Sequence, residues 1–319
     1  MSRVLRPGSL PNSQVDGQRL AEAAARPRLS DEERFKRSAH RASLQANLLR
    51  FLMWLTLLAG AVLFMAPLYI MVVMALKTPA EITQSSIWAW PQELTWENFH
   101  DVLTNENAPF FAFLRNSGIV ATISTFGVVI SSAIVAYPFA RLRFKGRDRL
   151  FLILLGTMML PGIVTMIPTY VEFKYFRWID TFFPLTVPAF FGGGAYNIFL
   201  LRQFFMGIPR DLDEAAILDG ASQATIFWRL ILPNSGAALA TVGIFSFIYT
   251  WRDLMGPLLY LNSPEKQTLE LGLNTYRTLH NEQWHYLMAG SVLVMLPLIL
   301  LFLLGQRYFV KGIVMSGIK

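Results

Sequence analysis

The sequence is short of two things that soluble proteins usually have. Its 319 residues include no cysteine, and charged residues account for only 15% of them, against 54% apolar residues. A soluble domain carries about 25% charged residues. The missing cysteine excludes a disulfide framework, a thiolate metal site and a cysteine nucleophile. The shortage of charge excludes a soluble enzyme, a secreted disulfide scaffold and a nucleic-acid-binding protein.

The charged residues are also absent from six long stretches of the chain. Each stretch has at least 21 residues and contains no Asp, Glu, Lys, Arg or His. A run of about 20 such residues can cross the hydrocarbon core of a bilayer as a helix. The sequence therefore predicts an all-α polytopic membrane protein with six transmembrane spans, at residues 51–76, 116–140, 150–171, 181–201, 230–251 and 286–306.

Basic residues favour one side of this arrangement. If the amino terminus is inside, the inside segments hold 21 Lys and Arg and the outside segments hold 7, and short basic loops are retained in the cytoplasm. We therefore expect both termini to be cytoplasmic. The first span starts at Phe51, behind fifty largely polar residues, so we expect it to be retained rather than cleaved as a signal peptide. The densest basic cluster consists of Arg141, Arg143, Lys145, Arg147 and Arg149.

The residues before the first span divide into two parts. Residues 1–29 contain few large apolar side chains and are expected to be disordered. Ser30 and Glu33 form a capping box, and the pattern that follows predicts an amphipathic helix. That helix either lies on anionic lipid or simply leads into the first span. The predicted regions are a cytoplasmic tail (1–50), a membrane domain (51–310) and a second cytoplasmic tail (311–319).

Helix-breaking residues are concentrated in the third and fourth spans. Pro161 and Pro168 lie in the third span, and the fourth contains two further prolines and three consecutive glycines at 192–194. Breaks in membrane helices are tolerated where neighbouring helices or a wet cavity satisfy the freed backbone groups. These two spans either line a transport pathway or carry ordinary kinks within a packed bundle.

The sequence carries little chemistry of its own. It contains no G-x-x-x-x-G-K-[ST] loop, so the chain is not expected to hydrolyse ATP through a Walker site. No ionisable residue falls inside a span, whereas proton-coupled transporters place relays there, which weighs against a secondary transporter. No catalytic residue, metal site or cofactor of this chain is predicted. The histidines are interpreted as solvated loop residues: His40, His100, His280 and His285.

The segment between spans four and five, residues 208–233, has a more specific pattern. Acidic residues at its start favour a helix, and Gly220 suits the left-handed position that stops one. Ser222 can cap a second helix of about ten residues that ends before Pro233. A short helix, a turn and a second short helix are therefore predicted. On these grounds alone the segment is either a docking element or a mere connector.

The spacing within this segment resembles a known motif. Glu214-Ala215-Ala216, Gly220 and Leu230-x-Leu232-Pro233 resemble E-A-A-x3-G-x9-I-x-L-P, the EAA loop of permease subunits in binding-protein-dependent ABC importers, with Leu230 in place of the usual Ile. The resemblance extends over about residues 51–319. The motifs T-M-M-L-P-G, I-P-T-Y, I-F-L-L-R-Q-F-F, D-G-A-S and Q-R-Y-F-V-K-G are similar to the carbohydrate branch that includes the maltose permeases, specifically its second, six-span subunit.

This resemblance implies a type I ABC importer permease fold and a set of partners. The segment after Gly220 would be the coupling helix that sits in a cleft of a separate ATPase subunit, with Glu214 paired to a basic residue there. The implied partners are a homologous permease, two ATPase subunits that bind ATP and Mg, an extracytoplasmic solute-binding protein and the lipid bilayer. The implied coupling residues are Glu214, Ala215, Ala216, Asp219, Gly220, Ser222, Leu230 and Pro233.

The chain departs from the family pattern in the fifth span, where W-N-D-F is replaced by Trp251-Arg252-Asp253-Leu254. Arg252 either snorkels to the outer face beside Asp253 or serves as a binding group in the translocation cavity. A sugar needs hydroxyl, amide and aromatic partners and does not require charge. For any aromatic candidate, packing between helices or at the interfacial belt is the alternative. The candidates for the substrate pathway are Tyr196, Asn197, Tyr249, Trp251 and Arg252.

The sequence thus predicts a permease subunit of an ATP-driven importer in the cytoplasmic membrane of a bacterium or an archaeon. It would move a sugar, oligosaccharide or polyol inward by alternating access, coupled to a separate ATPase through the EAA loop. The chain itself is not expected to be an enzyme. The alternative is a self-sufficient secondary transporter.

Overall fold

The computed structural model describes residues 31–274, 276 and 283–315, and their side chains from residue 46 to residue 306. Every regular element in these ranges is helical, which confirms the predicted all-α fold. Four helical segments are long and apolar enough to be spans: Ala46–Ala75, Phe110–Arg141, Phe183–Gly207 and Trp284–Gln306. Two bent helix pairs bring the number to six if each pair is one span: Arg147–Thr157 with Gly162–Tyr175, and Gln223–Asn234 with Gly236–Trp251.

The chain divides into two compact units, residues 1–66 and 67–319. The described backbone of the first unit belongs to helix α1, Asp31–Ala75, whose last residues lie in the second unit. The expected disorder of residues 1–29 and the capping residue Ser30 fall outside the described residues. The side chains of the predicted amphipathic helix, up to residue 45, fall outside them too, as do residues 316–319. The limits of the two tails therefore stay a prediction.

The second unit contains the remaining elements, which we number along the chain. α2 (Pro79–Gln84) and α3 (Glu97–Thr104) precede the second span, α4 (Phe110–Arg141). The third span comprises α5 (Arg147–Thr157) and α6 (Gly162–Tyr175). The fourth comprises α7 (Phe183–Thr186), a 3-10 turn (Val187–Phe190) and α8 (Ala195–Gly207). Next come α9 (Asp211–Leu218), α10 (Gln223–Ile226), a π-helical turn (Phe227–Ile231) and α11 (Leu232–Asn234).

The last elements form the fifth and sixth spans and the loop between them. The fifth span is α12 (Gly236–Trp251). α13 (Met255–Tyr260), a 3-10 turn (Pro264–Lys266) and α14 (Leu269–Leu273) follow it. The sixth span is α15 (Trp284–Met315), a continuous helix with Pro297 inside it.

The third and fourth spans are both broken, as the prolines and glycines predict. α5 and α6 meet at an angle of 93° across a break that contains Pro161. In the fourth span, α8 follows three glycines with positive φ angles of 110°, 62° and 88°. The middle one, Gly193, has a second reason to be glycine, because a Cβ there would collide with Ser132 of α4. A further bend of 76° at Ser235, between α11 and α12, was not predicted.

The second span, α4, is the helix against which the fourth and fifth spans pack. The Ser124 hydroxyl donates to the Leu185 carbonyl at 2.7 Å, and the Ser131 hydroxyl donates to the Ala189 carbonyl at 2.8 Å. Gly127 lies between these serines, and a Cβ at its position would be only 2.8 Å from the Phe190 ring. Carbonyls freed where the fourth span breaks thus find donors on α4, as the hydrocarbon interior of a bilayer requires.

A polar junction ties together two loops at the Phe110 end of α4. The Asn116 amide donates to the carbonyls of Glu265 and Gln267 at 2.8 and 2.9 Å. In the same loop, Lys266 lies 2.8 Å from the Asp180 carboxylate. Hydrogen bonds from Lys266, and after it from the neighbouring Ser263, hold the pKa of Asp180 well below its usual range. Because a depressed carboxyl pKa adds stability that is lost only in acid, this junction is intact at neutral pH.

Candidate functional site

Residues 208–234 form a helical segment at the Arg141 end of α4, which we call the EAA segment. α9 carries Asp211, Asp213 and Glu214 in its first turn, where the positive end of the helix dipole favours acids. Gly220 has a φ of 81°, the left-handed conformation predicted for it. The Ser222 hydroxyl accepts a hydrogen bond from the Thr225 N–H at 3.2 Å and so caps α10 as predicted.

The second helical stretch of the EAA segment is longer than the sequence predicts. It was expected to end before Pro233, but helical backbone continues to Asn234. A π-helical turn from Phe227 to Ile231 occupies its middle. Pro233 falls in the first turn of α11, where a residue without an N–H leaves no hydrogen bond unmade. The predicted stop was therefore wrong, because proline is tolerated at a new helix start.

The EAA segment has a buried side and an exposed tip. Ile226 and Ile231 are fully buried in one apolar cluster with Leu201 and Phe205 of the fourth span. At the tip, by contrast, Leu218 is 89% exposed, and Ile217 beside it is half exposed. The tip therefore presents apolar side chains among exposed acidic ones, a mixture typical of a protein-binding surface.

The predicted coupling residues fall on both sides of this division. Ala216 and Leu230 are half-buried and pack against the apolar cluster around Ile226. The other six predicted residues are exposed: Glu214, Ala215, Asp219, Gly220, Ser222 and Pro233. The structure thus brings them together on one segment with most of them open to a partner. Their role in coupling stays a prediction.

An ion pair holds the base of the EAA segment to α4. The Arg141 side chain, only 2% exposed, has its Nη1 3.3 Å from Oδ2 of Asp213. Its Nη2 donates to the Ile208 carbonyl at 2.9 Å. Nε and Nη1 of Arg141 and Oδ1 of Asp213 are buried without a hydrogen-bond partner among the described residues. Each charge therefore offsets the cost of burying the other, since removing one would leave its partner buried and unpaired.

A second attachment lies about one turn earlier on α4. The Tyr137 hydroxyl donates to Oε1 of Gln223 at 2.8 Å, at the start of α10. The Tyr137 ring also packs against the Phe227 ring, with 5.1 Å between centroids. Both helical stretches of the EAA segment are therefore fixed to the same helix, α9 through Arg141 and α10 through Tyr137.

Sequence reasoning missed these attachments. Arg141 was counted only as one member of a basic cluster, and Asp213 only as an acid that favours a helix start. A pairing across 72 positions of sequence, from 141 to 213, leaves no local pattern. One signal was available. Arg141 directly follows the uncharged run that ends at residue 140, so its backbone and the first carbons of its side chain lie at the end of the predicted span.

The structure divides the candidates for the substrate pathway. Tyr196 is half exposed and Tyr249 is 80% exposed. The Asn197 amide donates to the Gly193 carbonyl at 2.7 Å and so stabilises the break in the fourth span. No hydrogen bond or ring contact within the described part of the chain joins Tyr196 or Asn197 to the candidates in the fifth span. The two groups therefore stay separate within this subunit.

The other two candidates lie where the fifth span ends. Trp251 is only 4% exposed, stacks on Phe247 at 5.3 Å and donates from Nε1 to the Val294 carbonyl at 3.2 Å. Its position between the fifth and sixth spans corresponds to the packing alternative, and a role for Trp251 in the substrate pathway stays a prediction. Arg252 is exposed and lies near Glu270, whose carboxyl has a pKa raised mainly by burial and lowered in part by that guanidinium.

The histidines also differ in part from the prediction. His100 is exposed, but His285 is half-buried, with its ring centroid 4.1 Å from that of Tyr286. The side chains of His40 and His280 lie outside the described residues. Among the residues that the structure describes, no three His, Asp or Glu side chains are placed to hold a metal ion.

Up to six apolar spans, two of them broken, and a helical segment fixed to one end of the second span are features of a membrane permease. The chain belongs to the family of binding-protein-dependent transport system inner membrane components, whose family model matches residues 108–315. This membership confirms the predicted permease family. It rules out the alternative of a self-sufficient secondary transporter.

Individual relatives agree with this assignment. The chain is 32% identical over 266 residues to the sn-glycerol-3-phosphate transport system permease protein UgpE of Yersinia pestis bv. Antiqua, which covers 82% of this chain and 94% of the relative. It is 31% identical to the arabinooligosaccharides transport system permease protein AraQ of Halalkalibacterium halodurans, over 72% of this chain and 81% of the relative.

A solved structure shows the same fold. A chain of a bacterial ABC transporter involved in the import of the acidic polysaccharide alginate superposes with a TM-score of 0.70 and 23% sequence identity. The superposition covers 89% of this chain and all of the other. The type I ABC importer permease fold is thereby confirmed.

The buried ion pair predicts a specific pattern of stability. We expect Asp213→Ala to destabilise the protein by about 3 kcal/mol, because it leaves the buried Arg141 guanidinium without its counter-charge. Arg141→Leu should cost a similar amount. The double variant Arg141→Leu/Asp213→Leu should cost less than the sum of the two. Thermal unfolding of the purified protein measures all three, with the exposed Lys145→Ala as the control; additive losses would contradict the pairing.

Proposed function

We propose that this chain is one of two homologous permease subunits of an importer that brings a carbohydrate into the cytoplasm at the expense of ATP. The observation that carries the proposal is the EAA segment, which is rigidly attached at its base and open at its tip. The names of UgpE and AraQ refer to a phosphorylated polyol and to oligosaccharides. They support a sugar, an oligosaccharide or a polyol as the substrate class.

The tip of the EAA segment is the proposed contact with an ATPase subunit. Exposed Ile217 and Leu218 offer apolar anchors for a cleft, and exposed Glu214 and Asp219 can pair with basic side chains at its rim. Two ATPase subunits would bind ATP and Mg and carry out hydrolysis. This chain would bind no cofactor and catalyse no bond chemistry, and a solute-binding protein would deliver the substrate from the other side of the membrane.

We further propose that the EAA segment and both termini are cytoplasmic, in the inner membrane of a bacterium or archaeon. The EAA segment and the basic cluster that starts at Arg141 lie at the same end of α4. If both termini lie on that side too, 21 of the 28 Lys and Arg residues fall there, which favours the cytoplasm.

Within the membrane, Tyr196 and Tyr249 are the proposed substrate contacts of this subunit. Each presents an aromatic face and a hydroxyl on the surface of a span, and these are the groups that bind the ring faces and hydroxyls of a sugar. Asn197 contributes indirectly. Its amide donates to the Gly193 carbonyl and so stabilises the break in the fourth span. Arg252 lies at the outer end of the fifth span, beyond the helix.

The coupling role predicts that a change at Gly220 separates ATP hydrolysis from transport. A β-branched side chain is strained at the observed φ of 81°, so Gly220→Val should displace the tip while the spans still insert. We expect uptake of labelled sugar into proteoliposomes that contain the whole importer to fall at least tenfold relative to ATP hydrolysis.

The control for this experiment is Gly220→Asn, because asparagine tolerates the left-handed conformation. It should retain most of the uptake. Equal uptake by wild type and Gly220→Val would make the EAA segment a connector and not a coupling element. Uptake by the wild type without ATP would contradict an ATP-driven importer altogether.

The orientation can be tested by labelling, since the chain has no cysteine of its own. We expect an impermeant thiol reagent to label Glu265→Cys in intact cells and Lys145→Cys only after the membrane is opened. Both residues are exposed, and Glu265 is a better site than Lys266, whose amine is engaged by Asp180. The reverse labelling pattern would overturn the orientation.

The substrate contacts are tested by replacing the two exposed tyrosines. We expect at least one of Tyr196→Ala and Tyr249→Ala to change the preference among competing sugars or the uptake affinity several-fold, because each loses an aromatic face and a hydroxyl. Tyr175→Ala, at a tyrosine that is 85% exposed, serves as the control and should leave both unchanged. If neither variant alters selectivity or affinity, the binding contacts belong to the partner permease.

A further inference from the structure

A cavity lined by four arginines lies beside the EAA segment and takes no part in the function proposed above. Its volume is about 640 Å³. Arg143 reaches it from the loop between spans two and three, and Arg147 and Arg149 reach it from the first turn of α5. Arg210 reaches it from the residue before α9. Arginines from two separate loops therefore converge on one space, which a basic stretch of sequence alone does not produce.

The positive charge in this cavity is not neutralised by the protein. Asp148 is the one acidic residue among those that line it, and it pairs with Arg147 at 2.9 Å. Arg143, Arg149 and Arg210 have no ion-pair or hydrogen-bond partner among the side chains that the structure describes. Three guanidinium groups that repel one another around a common space favour an anion between them. Their planar donors suit phosphate oxygens in particular.

The position of the cavity relative to the spans indicates where the anion comes from. Leu150, Leu152 and Ile153, which follow directly in α5, are all more than half exposed. Apolar side chains that this subunit leaves uncovered on a span are available to acyl chains. The arginines that immediately precede them therefore lie at the depth of the lipid headgroups. Phe144, also in the cavity wall and partly exposed, adds an apolar surface next to the charges.

We propose that this cavity binds the headgroup phosphate of an anionic phospholipid, with its acyl chains along the exposed face of α5. A bound lipid would also contact the EAA segment, because Arg210 directly precedes α9 and its carbonyl accepts hydrogen bonds from the N–H groups of Asp213 and Glu214. The lipid composition of the membrane would thereby act on the segment through which we propose that ATP hydrolysis is coupled.

The test measures lipid binding and needs no transport activity, so its outcome is independent of the proposed function. The purified full-length chain, in complex with its partner subunits, is titrated with phosphatidylglycerol or phosphatidylcholine, and bound lipid is counted by native mass spectrometry. We expect Arg143→Gln/Arg149→Gln to weaken phosphatidylglycerol binding about 30-fold, since each basic residue near an anionic lipid surface contributes about 1 kcal/mol. Binding of phosphatidylcholine should not change.

The matched control removes the same amount of charge without touching the cavity. Lys145→Gln/Arg50→Gln alters two exposed basic residues that do not line it and should bind phosphatidylglycerol like the wild type. If Arg143→Gln/Arg149→Gln does not assemble, Arg210→Gln from the other loop is used, with an expected loss of about fivefold.

Three results would overturn the proposal. The first is a wild type that binds both lipids equally. The second is an equal loss of binding in the control, which would reduce the effect to general surface charge. The third is displacement of phosphatidylglycerol by millimolar inorganic phosphate, which would make the cavity a site for a soluble anion. Retained phosphatidylglycerol in the presence of inorganic phosphate supports the lipid.

Discussion

The hydrogen bonds that the serines of α4 donate to the broken fourth span are the interaction on which the rest of the structure depends. A helix that breaks inside a bilayer frees carbonyls that no water is there to satisfy. Ser124 and Ser131 supply the donors to Leu185 and Ala189. Gly127 and Gly193 supply the close approach that lets them reach. Without this helix beside it, the carbonyls of Leu185 and Ala189 would lose these donors.

The same helix that supports the break also supports the EAA segment. α4 has 32 residues, which at 1.5 Å per residue is a rod of about 48 Å. Its Phe110 end is attached to the loop around Glu265 through Asn116, and its other end to the EAA segment through Tyr137 and Arg141. A displacement of the EAA segment therefore acts directly on the helix that lines the break, with no flexible element between them.

Local features of this fold could be read from the sequence because they depend on single residues. The glycines at 192–194 and Pro161 predicted the breaks, Ser222 predicted a cap, and Gly220 predicted a left-handed turn, since each residue type has a distinct backbone preference. The uncharged runs predicted the spans because the bilayer imposes their length and composition. In all these cases the cause lies within a few residues of the effect.

The features that could not be predicted depend on residues far apart in the chain. Trp251 is a candidate for substrate contact in the sequence, and its burial depends on the sixth span, where the Val294 carbonyl, 43 positions further on, accepts its indole N–H. The pairing of Arg141 with Asp213 follows from how α4 meets the EAA segment. Aromatic and charged residues at the end of a span show the same sequence pattern whether they pack against a neighbouring helix or bind a substrate. Only the tertiary structure distinguishes packing residues from binding residues.

The π-helical turn between Phe227 and Ile231 has a consequence for how sequences of this kind can vary. A π turn accommodates one residue more than an α-helix over the same rise, so deleting one residue there would leave an ordinary α-helical turn whose flanks stay in register. Ile226 would keep its buried position, and the tip at Leu218 would stay exposed. A single deletion should therefore be tolerated within this stretch, whereas a deletion from a regular α-helical turn would rotate the residues on one side of it by about 100°.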